Sequence, residues 1–294
     1  MPRDETLTQL LRRHIGQLAG DIGERNVFTP HTLQRAATYI EGEWSKMGYA
    51  VERLEYDVSG TRCANLAAEC PGRARAREIV LLGAHYDTVV GSPGANDNAS
   101  GVAALLEISR LFQASQPRLS VRFVAFVNEE PPFFTTGEQG SMVCARAARS
   151  RGDDIRLMAS LETLGCYSDA PGSQSYPPLF RFFYPDRGNF LGVVSDFRSW
   201  AAMRRLAAAF RANSDFPVQT ASTFRFVPGA SWSDHRSFWQ QGYRAVMITD
   251  TALYRYRHYH AASDTPDKVC YPELARVTRG LFEAFAALAR EGVG

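Results

Sequence analysis

The sequence predicts an α/β fold in which buried, parallel strands are covered by helices. Two observations carry this. Continuous apolar runs, the mark of strands buried on both faces, stand at residues 78–84 (EIVLLGA) and 121–127 (VRFVAFV). Each is followed by a helical stretch, at 101–112 and 140–148, and a third strand follows at 158–161. Strand, helix, strand, helix, strand is the order that parallel pairing with crossover helices requires.

The remaining elements follow in chain order. Leu7, Leu10, Leu11, Ile15 and Leu18 recur at helical spacing, and residues 32–47 form a second helix that Gly48 stops. Residues 49–56 and 64–69 read as short strands separated by Ser59-Gly60. Residues 167–192 break into Pro, Gly, Ser and aromatics and read as a long loop near the site. Order returns with a helix at 200–212, a strand at 244–249 and a closing helix at 273–290. No repeat, low-complexity tract or linker interrupts the chain. Residues 1–294 therefore read as one domain, with 1–48 a helical segment packed on it.

Composition closes off several classes. Hydrophobic residues make up 45% of the chain, enough for a folded core. Lys and Arg number 33 against 31 Asp and Glu, a net +2 without a long run of one sign, so nucleic acid is not an expected partner. No window of about 18 apolar residues is present, so no membrane span is expected. The opening MPRDETLTQLLRRHIGQLAG lacks the apolar core of a secretory signal. Five scattered cysteines (Cys63, Cys70, Cys144, Cys166, Cys270) lack C-x-x-C spacing. A cytoplasmic, reducing location with free thiols is the expectation. Oligomeric state is not legible.

Chemistry collects after the buried strands, where open α/β sheets place their ligands. The first ends in His85-Tyr86-Asp87-Thr88, and the loop beyond it, GANDNASG (94–101), carries Asp97 directly before a helix. The second ends in Asn128-Glu129-Glu130 and the third in Leu161-Glu162-Thr163; His258-Tyr259-His260 stands near the C-terminus. Singly, each has a plainer reading: His85 and Asp87 as a surface pair, Asp97 as an N-cap, Glu129-Glu130 as a solvated strand end. Successive strand ends that all send a carboxylate or imidazole to one rim are not explained by surface decoration. His, Asp and Glu without Cys suit zinc in a hydrolytic site, with manganese or cobalt as substitutes. Two histidines and three carboxylates serve two ions if one carboxylate bridges, and Asp97 on its Gly/Asn loop fits that place. Glu129, beside Glu130, is then set to take a proton from water and pass it to a leaving amine. Asp87 is set to hold the far ring nitrogen of His85.

HYDTV (85–89), GANDNASG (94–101), NEEPPFF (128–134), SLETLGC (160–166), SDHRSF (233–238) and HYHAASDTPDK (258–268), in this order and spacing, resemble the M28 family of zinc-dependent aminopeptidases. The resemblance runs from about Arg25 to the last helix. It implies a three-layer α/β/α sandwich around a mixed, mostly parallel sheet, two co-catalytic zinc ions and a peptide substrate. It implies His85 on one metal, Asp97 bridging, Glu130 and His260 on the other, Glu129 as general base and Asp87 as the partner of His85. Glu162 stands where the family often has Asp, as a ligand one methylene longer. Tyr259 matches a tyrosine that in some members stabilises the oxyanion.

Other residues keep two readings. Asp234 either hydrogen-bonds the base or a substrate amine, or caps the helix that follows. His258 reads as a surface residue, Cys166 as core, and Asp264 and Asp267 as shapers of the turn after His260. Phe180, Phe182, Phe183 and Tyr184 either wall a substrate pocket or pack under the long loop. Three alternatives remain beside the aminopeptidase: a single-zinc aminoacyl cyclase like the glutaminyl cyclases, a decayed relative that only binds, and a carboxypeptidase. A basic side chain in the pocket would favour the last.

Overall fold

The computed structural model describes residues 2–293. Helix α1 (Pro2–Ile15) runs on through a wider turn, Gly16–Ile22, before α2 (Pro30–Lys46); Leu7, Leu11, Ile15 and Leu18 are buried, as their spacing predicts. Strands β1 (Glu52–Val58) and β2 (Thr61–Cys70) form an antiparallel hairpin across Ser59-Gly60, both at positive φ. The hairpin is longer than the residue pattern suggests, because its ladder continues into polar positions at the sheet edge.

All eight strands join one sheet in the order β1-β2-β4-β3-β5-β8-β6-β7. At its centre β3 (Arg75–His85) pairs in parallel with β4 (Leu119–Phe126) and β5 (Asp154–Glu162), and β5 with β8 (Ala245–Thr249). The β1–β2 hairpin pairs antiparallel with β4, and β6 (Leu191–Ser195) antiparallel with β8; β6 and β7 (Val218–Ser222) are parallel again. The sheet is therefore mixed and mostly parallel.

Strand periodicity splits the core in two. Val80, Leu82, Ala84, Val121, Phe123 and Ala125 face α1, α2, α3 (Gly101–Phe112), α5 (Trp200–Asn213) and α7 (Tyr271–Glu291). Ile79, Leu81, Val124 and Phe126 face α4 (Gly140–Arg151) and α6 (His235–Gln240). Gly83 lies between the Phe-rich positions because a Cβ there would meet the Phe126 ring at 2.2 Å. The smaller core holds no residue of β6 or β7. That half of the sheet face is left to loops.

Two elements were not expected from the residue pattern, β6 and β7, each a five-residue strand too short for a period to declare itself. The helix that one reading of Asp234 places after it is α6, six residues long. The long loop accordingly ends at Leu191, and a short 3-10 turn, Phe180–Phe182, lies within it. Among the described residues no helix is long and apolar enough to cross a membrane.

Candidate metal centre

Five chain segments meet at the C-terminal edge of the parallel strands, the loop of Asp97 among them. β3 ends in His85, fully buried; β4 leads into Asn128-Glu129-Glu130; β5 ends in Glu162. His260 comes from the loop ahead of α7, its side chain 31% exposed, so the cluster opens to solvent on that side. Asn128, Thr163 and His260 all adopt positive φ, with backbone strain gathered at the site.

Asp97 is placed by its neighbours. Gly94 turns the chain at φ 62, where a Cβ would meet the Asp97 carbonyl oxygen at 2.3 Å. Asn96 Nδ2 donates to Asp250 Oδ2 (2.9 Å), and its Oδ1 accepts from the Gly165 amide (2.7 Å). Asn98 Nδ2 donates to the Leu161 carbonyl (2.8 Å), and its Oδ1 accepts from the Thr163 amide (3.0 Å). Two asparagines thus pin the loop to the end of β5, and the carboxylate between them is turned to the histidines. The N-cap reading of Asp97 gives way: its side chain makes no cap hydrogen bond.

The cluster divides around that carboxylate. Asp97 Oδ1 lies 3.3 Å from His85 Nε2, and Glu162 Oε2 lies 3.4 Å from the same nitrogen. Asp97 Oδ2 lies 3.2 Å from His260 Nε2, and Glu130 Oε2 also 3.2 Å from it. Glu129 Oε2 stands 3.9 Å from His85 Nε2. Asp87 serves His85 and also does more than its spacing suggests. Its Oδ1 lies 3.6 Å from His85 Nδ1, its backbone carbonyl faces the same nitrogen at 3.3 Å, and its two carboxylate oxygens accept the Glu129 and Glu130 amides, each at 3.1 Å. A proton on Nδ1 leaves Nε2 free toward the carboxylates, the tautomer a metal ligand needs.

Electrostatics are set by burial. Burial pushes the Glu130 carboxyl up to about 7, with the charge of Asp97 adding to it, and also raises Glu129 and Glu162. Burial works against protonated His260, yet the hydrogen bonds it donates to Asp97 and Glu130 hold it at about 10. His85 is likewise raised against burial, chiefly by Glu162. Groups that share protons in this way release them to a metal ion.

The residues fit such an ion. Oδ1 of Asp97 and Oε1 of Glu130 are buried without a hydrogen-bond partner, an expensive state for acceptors unless a cation serves them. One atom each of His85, Asp97 and Glu130 lies within 4.8 Å of the others. Ligands about 2.0–2.1 Å from a tetrahedral zinc stand about 3.3 Å apart, the spacing found between the facing atoms here. Nitrogen and carboxylate oxygen are the donors zinc takes in hydrolytic sites.

Residues 65–285 match Peptidase family M28. The chain belongs to this family. It is 37% identical over 289 residues to the uncharacterized protein YfbL of Escherichia coli K12, spanning 95% of this chain and 88% of that one. It is 30% identical over 210 residues to an aminopeptidase of Pseudomonas aeruginosa, spanning 70% of this chain and 35% of that protein. Its fold matches a zinc aminopeptidase of Bacillus subtilis with a TM-score of 0.78 at 13% identity, covering 97% and 95% of the two chains. Solved glutaminyl cyclases share the fold as well. By family the chain is a peptidase, a hydrolase of peptide bonds.

Beside the cluster lies a pocket of about 850 Å³, counting the part open to solvent. Val194, Ala221 and Met247 line it from β6, β7 and β8; Phe180 and Tyr184 come from the long loop, and Trp232 and Tyr254 from two further loops. Glu162 and Tyr259 belong to both pocket and metal centre, and the Tyr259 ring stacks on His260 with centroids 3.9 Å apart. Phe182 and Phe183, by contrast, are exposed and do not line it.

Some residues fall outside the cluster. His258 bonds Ser263 (2.8 Å), Asp267 bonds Thr265 and Lys268, and Cys166 is half-buried with its thiol pushed up by burial. Asp234 is fully buried ahead of α6 but makes no cap hydrogen bond, and burial pushes its carboxyl up to about 7. Residue reasoning missed Ser233, whose hydroxyl donates to Glu162 Oε2 at 2.7 Å. Its only signal was adjacency to Asp234 in SDHRSF.

Proposed function

We propose that the chain is a two-zinc aminopeptidase that releases large, uncharged N-terminal residues, with Glu129 as general base. One observation carries the two-ion reading: the two oxygens of Asp97 face separate donor groups, His85 with Glu162 on one side and His260 with Glu130 on the other. Zinc held there supplies a Lewis acid for the scissile carbonyl and lowers the pKa of water. Glu129 takes the proton of the attacking water and delivers it to the departing amine. Burial raises its carboxyl, which makes it a stronger proton acceptor than an exposed carboxylate. The Asp87 carboxylate, holding the amides of residues 129 and 130, keeps the base and its neighbouring ligand in fixed relation. Tyr259, braced on His260, offers a hydroxyl to the developing oxyanion.

The carboxylates of the rim attract the α-ammonium of a free N-terminus. The pocket supports the same choice of end, since its lining includes neither Lys nor Arg to grip a C-terminal carboxylate. Manganese or cobalt remain usable substitutes for this donor set. The deciding experiment combines zinc content per chain, by elemental analysis after zinc loading, with hydrolysis of aminoacyl amides. Two equivalents with cleavage of Leu and Phe amides are expected. One equivalent with cyclisation of N-terminal glutamine moves the assignment to the cyclase chemistry. No bound zinc overturns both.

A further inference from the structure

We propose that Arg25 and Asp264 form a charge clamp on the loop carrying Asp97, and that this clamp tunes zinc affinity from outside the ligand set. The inference rests on Asp97 being a metal ligand.

Arg25 is fully buried, and its guanidinium is spent on backbone carbonyls. Nε donates to Tyr86 O (2.6 Å), the residue after His85. Nη1 reaches Pro93 O (2.6 Å), together with Gly23 O and Leu18 O of its own segment, and Nη2 reaches Gly94 O (3.0 Å). The backbone of Arg25 is tied to the same stretch: its amide donates to Thr88 Oγ1, and its carbonyl accepts the Thr88 amide, both at 3.0 Å. One side chain thus grips both ends of the segment that links His85 to Asp97.

Asp264 holds the other pole. Its Oδ1 accepts the Asn96 amide (2.8 Å) and Oδ2 the Asp97 amide (3.0 Å), while Tyr256 donates its hydroxyl to Oδ1 (2.6 Å). The Asp264 carbonyl also accepts the Ala95 amide. A cation therefore takes the carbonyls at 93 and 94, and an anion takes the amides at 96 and 97. Reversing or neutralising either charge leaves buried loop dipoles without their partner.

A buried guanidinium is costly unless negative charge lies close. Here Asp87, Asp264, Asp97 and Glu130 all act on it, and they are the acidic groups of the metal centre and its supports. Burial lowers Arg25 only to about 10, so it stays charged at neutral pH. Lys cannot replace it in full, because an ammonium is a point donor and the three carbonyls at 86, 93 and 94 surround a planar fork. Arg25 is a positioning residue. It lies ahead of the segment, 65–285, that matches the family, so the N-terminal part of this chain helps to build the metal centre.

The test compares full-length Arg25→Lys, Arg25→Met and Asp264→Asn with Leu11→Ala, which removes a buried apolar α1 side chain and no charge or hydrogen bond of the loop. Zinc affinity is read by competition with a chromogenic chelator, and amide exchange of residues 93–98 is read on the zinc-free chains. Arg25→Lys and Asp264→Asn are expected to weaken zinc binding about 10–100-fold, the usual effect of removing a group that orients a ligand. Exchange at 93–98 rises with it, and Leu11→Ala keeps wild-type affinity at a comparable loss of thermal stability. Zinc affinity of both Arg25→Lys and Asp264→Asn within threefold of wild type overturns the clamp, as does an equal loss in Leu11→Ala. Should Arg25→Met fail to fold, the other two variants decide. Asp97→Ala separates the layers: if it binds zinc normally the ligand reading has failed, and if it alone loses zinc the clamp has failed.

Discussion

The metal rim and the apolar pocket share Glu162 and Tyr259 yet are built in opposite ways. The rim hangs on the ends of β3, β4 and β5, strands buried on both faces, and the backbone beside Glu129, Glu130 and Glu162 is held by the side chains of Asp87 and Asn98. The pocket lies over β6, β7 and β8, on a face of β6 and β7 that adds nothing to the smaller core, and its other walls are loops distant in sequence. Reaction chemistry needs atoms held to fractions of an ångström, so it sits on rigid strand ends. Side-chain selection needs only volume and dryness, and loops supply both. The difference teaches that the two halves should fail separately: damage to the rim stops turnover of every substrate, and damage to the pocket changes which substrate is turned over.

Glu129→Gln is the strongest way to test that separation. It removes the proton acceptor and no ligand, so kcat is expected to fall about 10³-fold while zinc content and the Phe-to-Ala preference stay unchanged. Steady-state kinetics beside elemental analysis reads both; activity within tenfold of wild type would return Glu129 to a structural role. Tyr259→Phe probes the seam. Loss of one oxyanion donor is expected to lower kcat about 10²-fold with KM little changed. A rise in KM without a fall in kcat instead assigns Tyr259 to the pocket wall.

The two halves were also unequally legible. Polar residues at the ends of apolar runs announce themselves, which is why His85, Glu129, Glu130 and Glu162 stood out by residue type and position. Asp97 stood out on its Gly/Asn loop, and His260 was told from His258 by the family resemblance of its motif. Their supports did not. Arg25 sits in a polar-looking stretch, GERN, and nothing short of the packed structure tells a buried guanidinium from a solvated one. Asp264 looked like a turn former, and its two loop amides come from residues far ahead of it in the chain. The pocket was hidden for a further reason. β6 and β7 are too short to carry a period, and only Phe180 and Tyr184 of the four aromatics singled out in the long loop face inward.

Ala221→Phe addresses the pocket alone. A ring placed on β7 fills space that the substrate side chain would take, so kcat/KM on N-terminal Phe is expected to fall about 30-fold, with N-terminal Ala little affected. A uniform loss on both substrates would mean that the pocket wall also holds the rim in place.

The smallest effect is expected where the two regions share an atom. Glu162 offers Oε2 to His85's side of the cluster, receives the Ser233 hydroxyl on that same oxygen, and also lines the pocket. Glu162→Asp withdraws the carboxylate by about 1.5 Å, the length of one carbon–carbon bond. The carboxylate remains a zinc donor of the same kind, so two equivalents are expected to persist, with affinity within about threefold of wild type. Glu162→Ala, which leaves no donor, is expected to lose about one equivalent and to keep the ion on the His260 side. Full zinc stoichiometry in the alanine variant would place Glu162 with the pocket and not the rim, and would leave the His85 side of Asp97 with one ligand fewer than the geometry assigns it.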